Sequence, residues 1–72
     1  MRPLDAEELQ ALTLFASGKT ADEMALALGV SKSMALHYLR VAARKLGARN
    51  RVHAVAIAVR MGLIKPAGGA DC

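Results

Sequence analysis

Apolar residues recur at helical spacing in four stretches of the chain, and each stretch runs out at a glycine: Gly18, Gly29, Gly47 and Gly62. A residue in the left-handed conformation closes many helices, and glycine adopts it without strain. Polar residues open the same stretches. Asp5 with Glu8, and Thr20 with Glu23, have the spacing of a capping box, in which a short side chain and a later carboxylate satisfy free amides. Ser31 and Asn50 suit N-caps without that reciprocal partner. The pattern predicts helices over residues 6–16, 21–28, 32–46 and 51–61. No stretch alternates apolar and polar with period two, so an all-α, four-helix domain over residues 1–65 is expected. Pro66 and Gly68-Gly69 stop any continuation, which marks residues 66–72 as a flexible tail.

Only Gly29-Val30-Ser31 joins the second helix to the third. A short helix, a glycine-containing turn and a longer basic helix together make a helix-turn-helix, with Val30 placed to fill the angle. On the third helix, Ala35, Leu39, Ala42, Ala43 and Leu46 share one stripe and are expected to face the core. Ser33, Leu36, His37, Arg40 and Arg44 form another, which would meet base edges if the helix entered a major groove. Arg40 can bond both O6 and N7 of a guanine, Leu36 can touch a thymine methyl, and His37 can reach a purine or the backbone. Lys32, Arg44 and Lys45 suit phosphates. The fourth helix is apolar around almost its whole girth. Val52, Val55, Ala56 and Val59 are expected toward the core, leaving Ala54, Ile57, Ala58 and Met61 for a second copy of the chain.

Charge sharpens this picture. Residues 24–70 carry eight Lys and Arg and no Asp or Glu, so the net +4 understates the asymmetry. A one-sided cationic surface serves a polyanion, because neutralising phosphates releases condensed counterions. Cys72 stands alone, so neither an internal disulfide nor a cysteine-rich metal site is possible, and the cytoplasm is the default compartment. The longest apolar run, residues 52–59, is far short of the roughly 20 residues of a membrane span.

Two blocks of residues carry a resemblance. Ala16-Ser17-Gly18-Lys19-Thr20 leads through Glu23-Met24-Ala25 and Leu28 to Val30-Ser31, and Arg44-Lys45-Leu46-Gly47-Ala48-Arg49-Asn50-Arg51 leads through Ala54-Val55-Ala56 to Gly62-Leu63-Ile64. Over residues 4–64 the chain resembles the LuxR/FixJ-type (GerE-like) DNA-binding domain of bacterial transcription regulators. That resemblance implies a third helix that reads the major groove at positions 36, 37 and 40, and a fourth that pairs with its copy. It also implies backbone contacts from Thr20 and Lys45. The chain departs from the family at Glu7, Asp22, Met34, Ala35 and Tyr38, where a basic residue or a threonine, among others, is usual, so fewer phosphate contacts are expected. Either a stand-alone regulator or a fragment of a longer one fits this pattern.

Enzyme chemistry finds no footing. Gly18-Lys19-Thr20 resembles the end of a phosphate-binding loop, but position 13 is Thr where that loop needs glycine. No zinc-protease or serine-hydrolase motif is present, and no cofactor or metal is expected. The function expected is sequence-specific, double-stranded DNA-binding transcription regulation by a homodimer. The alternative is an interaction module that pairs with a full-length regulator as an anti-activator. Expected partners are DNA and a second copy, with a full-length LuxR-type regulator or RNA polymerase as further candidates.

Overall fold

A computed structural model describes residues 4–64. It contains α1 (Ala6–Ala16), α2 (Ala21–Leu28), α3 (Lys32–Lys45) and α4 (Arg51–Arg60), and no strand among the described residues. Two helices end one residue earlier than their apolar pattern, because Leu46 and Met61 serve as C-caps. The expected tail at 66–72, Cys72 included, lies outside the described residues.

The predicted caps form. Thr20 Oγ1 accepts from the Glu23 N–H at 3.2 Å, and the Glu23 carboxylate accepts from the Thr20 N–H at 2.8 Å. Ser31 Oγ accepts from the Met34 N–H, and Asn50 Oδ1 from the His53 N–H. At the close of α2, Gly29 has φ +70°, and the Val30 N–H reaches back to the Ala25 carbonyl at 3.0 Å. This left-handed turn sets the angle between α2 and α3. Val30 is half-buried against the core inside that angle.

Among the described residues, seven of the twelve buried apolar ones are alanines: Ala11, Ala25, Ala35, Ala42, Ala43, Ala54 and Ala58. Leu12, Met24 and Leu39 supply the bulk between them. Small side chains let the helix backbones approach closely, and α3 packs on α1, α2 and α4 at once. Its core stripe is the one expected: Ala35, Leu39, Ala42 and Ala43 are buried and Leu46 half-buried.

α4 corrects the sequence reading. Ala54 and Ala58, expected on an outer association face, are fully buried, while Val52 is 70% exposed and Ala56 is also exposed. Ile57 is half-buried and Met61 exposed. Alanines one turn apart bring α4 close to α1 and α3, and the larger Val55 and Val59 pack at the sides. A helix apolar on every side carries no polar face to declare its rotation.

An ion pair closes the bundle. Lys45 Nζ donates to Glu8 Oε1 at 2.8 Å and lies 3.6 Å from Asp5 Oδ2, while the Asp5 N–H also donates to Glu8. Burial acts to raise the pKa of Glu8, but the Lys45 hydrogen bond, the Asp5 N–H and the Lys45 charge together hold it below its ordinary 4.5. The hydrogen bond to Glu8, opposed by burial and assisted by Asp5, raises that of Lys45. A depressed carboxyl pKa means that the folded chain resists protons the unfolded chain accepts. The Glu8 contribution is therefore whole above 4.5 and is lost as pH falls below it. The Lys45 contribution is whole below 10.5 and is lost only as pH climbs past it.

Two outcomes follow in denaturation experiments. Glu8→Gln should lower the melting temperature at pH 7 and flatten the acid decline between about pH 5 and 3; an unchanged acid limb would contradict the pair. Ala58→Leu should cost about 1–3 kcal/mol by overpacking, whereas Val52→Asn should stay within about 0.5 kcal/mol.

Candidate nucleic-acid interface

With three helices packed around it, α3 keeps one outward face. Ser31 and the Gly29 turn fix its start, so Lys32 and Ser33 emerge at its exposed first turn. His37, Arg40 and Arg44 follow on the same side, all exposed. Leu36, expected to stand open among cations, is half-buried at the edge of this face, where it packs against the core. The His37 and Tyr38 rings lie 6.2 Å apart, with Tyr38 half-buried.

Lys45 does not join them. Five residues separate it from Arg40, which is roughly 140° around a helix of 3.6 residues per turn. Its ammonium is held on the α1 side by Glu8 and Asp5, where it closes the fold. Thr20 sits exposed at the start of α2; its oxygen accepts from Glu23, which leaves its hydroxyl proton available to donate. Exposed Asp22 and Glu23 beside it weaken that position toward an anion.

Among the described residues every ion pair belongs to Lys45. Arg40 and Arg44 have no carboxylate partner, and their charge faces solvent. Both also line a groove of about 490 Å³ where α3 meets the α3–α4 corner. Leu36, Ala43 and Ala48 contribute its apolar lining, and Arg49, Asn50 and Arg51 complete it. The reading of α3 by faces missed Arg49 and Arg51. Both stand in the acid-free run, so the charge pattern contained the signal, but a single helix face does not reach them. The Arg49 N–H donates to His53 Nδ1 at 3.0 Å, and the Arg51 guanidinium carbon lies 5.8 Å from the centre of the Phe15 ring.

This arrangement can hold a polyanion and present an arginine and a histidine to base edges. It assembles no nucleophile with a base, and no group of three metal-ligating side chains occurs among the described residues. No described helix is long and apolar enough to cross a membrane.

Comparisons with known proteins bear on the family and the fold. The family model described as "Bacterial regulatory proteins, luxR family" matches residues 2–58. The transcriptional activator protein BjaR1 of Bradyrhizobium diazoefficiens is 41% identical over 63 residues, covering 88% of this chain and 26% of that protein. The response regulator RamR of Streptomyces coelicolor is 44% identical over 55 residues, covering 76% of this chain and 27% of its own length. This chain thus spans about a quarter of the length of these curated relatives. A solved structure of the transcription factor GerE superposes with a TM-score of 0.85, over 90% of this chain and 97% of that one, at 18% identity, and so shares the fold.

Proposed function

The chain belongs to the luxR family of bacterial regulatory proteins, a family of DNA-binding transcription regulation and not of enzymes, and we propose that it reads double-stranded DNA by laying α3 in the major groove. One observation carries this reading. α3 turns Lys32, Ser33, His37, Arg40 and Arg44 outward without a single carboxylate among them, while its opposite stripe is locked into the core.

Within that pose the residues divide by reach. Arg40, at mid-helix, takes a guanine edge through two parallel hydrogen bonds. His37, one turn earlier, meets the neighbouring base or its phosphate, and Ser33 the next step along the groove. The part of Leu36 that remains exposed brushes a thymine methyl. Lys32 and Arg44, at the two ends, grip phosphates and set register, with the Thr20 hydroxyl donating to the backbone from α2. The compartment that fits a DNA partner is the bacterial cytoplasm.

Two copies act together in this proposal, through a face of α4 different from the one its apolar pattern first suggested. Ala54 and Ala58 are committed to the core. Val52 and Ala56 remain in solvent with half-buried Val59 beside them, an apolar stripe that a two-fold copy can cover. So small a stripe supports only a weak dimer, which binding to adjacent half-sites about 34 Å apart would tighten.

Fluorescence anisotropy titrations on duplex DNA test the roles. Arg40→Ala should cost about 1–3 kcal/mol on a preferred site and relax specificity there. Lys45→Ala should leave the salt slope unchanged in whatever fraction remains folded, since its charge is already neutralised by α1. A slope reduced by about one would return Lys45 to the phosphate contacts. For association, sedimentation should show a monomer free in solution and a dimer on a palindromic duplex, and Val52→Asp should abolish that second step. A monomer on DNA as well would sink the α4 proposal.

A further inference from the structure

The groove beside α3 gathers four arginines from three places in the chain: Arg40 and Arg44 from α3, Arg49 from the corner, and Arg51 from the first turn of α4. No acidic residue lines it, and the ion pairs of the described residues all lie on Lys45. All four arginines line one groove of about 490 Å³. Like charges lining one groove repel one another, and among the described residues no carboxylate pairs with them.

The corner is also held in place. Gly47 takes φ +71° to end α3, and the Ala48 N–H returns to the Ala43 carbonyl at 2.8 Å. The next amide, that of Arg49, is bound by His53 Nδ1, and Asn50 Oδ1 in turn accepts from the His53 N–H at 2.8 Å. Arg51 rests against Phe15, which restrains its long side chain while leaving guanidinium edges to donate. The positive end of the α4 dipole adjoins the same groove.

We propose that Arg49 and Arg51, together with Arg44, clamp backbone phosphates of the duplex whose major groove α3 enters, making the α3–α4 corner a second anchor for register. This rests on the α3 reading above and extends it to residues off that helix. Two observations favour a duplex backbone as the occupant. The groove is continuous with the reading face, since Arg40 and Arg44 belong to both. Lys45, the last residue of α3 beside this corner, is already paired with Glu8, so anchoring charge at this end of the helix comes from Arg44, Arg49 and Arg51. Planar guanidinium forks also match phosphate oxygens in pairs.

The test measures affinity against salt for Arg49→Gln and Arg51→Gln, on a selected duplex and a scrambled one, between about 50 and 200 mM salt. Each variant should lower the slope of log K on log salt by about one unit and weaken both duplexes alike, roughly five- to tenfold near 0.1 M. Arg40→Ala should instead weaken the selected duplex more than the scrambled one. Phe15→Leu, which keeps the Arg51 charge, separates loss of stacking from loss of a phosphate contact. Should Arg51→Gln fail to fold, Arg49→Gln carries the test alone, because only the Arg49 backbone N–H takes part in an intramolecular hydrogen bond. If both variants match the wild-type slope while the wild type binds DNA, the clamp is overturned and the α3 reading stands. A wild type that retains no duplex even at the lowest salt removes both. Inorganic pyrophosphate bound at these arginines with duplex affinity unaltered assigns the groove to a small anion and overturns the clamp.

Discussion

Close packing through alanine decides what this domain can show to a partner. Helices that meet through Ala11, Ala25, Ala35, Ala42, Ala43, Ala54 and Ala58 can surround α3 on several sides within a very small volume. One face is left over, and Ser33, His37, Arg40 and Arg44 lie on it. The Gly29 turn and the Ser31 cap fix where α3 begins, and so which residues fall on that face. A larger side chain at one of these alanines would push a neighbouring helix outward and alter that presentation together with stability.

Charge is divided in the same way. The acids cluster at the starts of α1 and α2, where they satisfy free amides and, through Glu8 and Asp5, hold Lys45. Among the described residues, what remains over α3 and the corner is positive and unpaired. Such a surface is unfavourable in isolation and becomes favourable against phosphates, whose neutralisation releases counterions. Lys45 and Arg44 are neighbours in the chain with opposite assignments. One is drawn back to α1 and completes the bundle, and the other faces solvent.

Much of the fold was legible because capping chemistry is local. The Asp5–Glu8 and Thr20–Glu23 boxes and the Ser31 and Asn50 caps are written within a few residues of one another, and they placed all four described helix starts correctly. The core stripe of α3 was legible because polar residues mark its other side. Three features were not. α4 has no polar side to fix its rotation, so Ala54 and Ala58 were placed outside when they are the contact itself. Lys45 has a partner 37 positions away, beyond any reading of one helix. Arg49 and Arg51 join Arg40 and Arg44 only once the corner folds back, which neither helical period describes.

The outward face of α3 is the surface proposed to meet a duplex. An amide chemical-shift titration of the isotopically labelled chain with duplex DNA at low salt examines this directly, residue by residue. The largest changes should fall on Ser33, His37, Arg40 and Arg44, with the buried stripe of α3 little moved. Changes confined to α1 and α2, or an unaltered spectrum at saturating duplex, would show that this face has some other purpose.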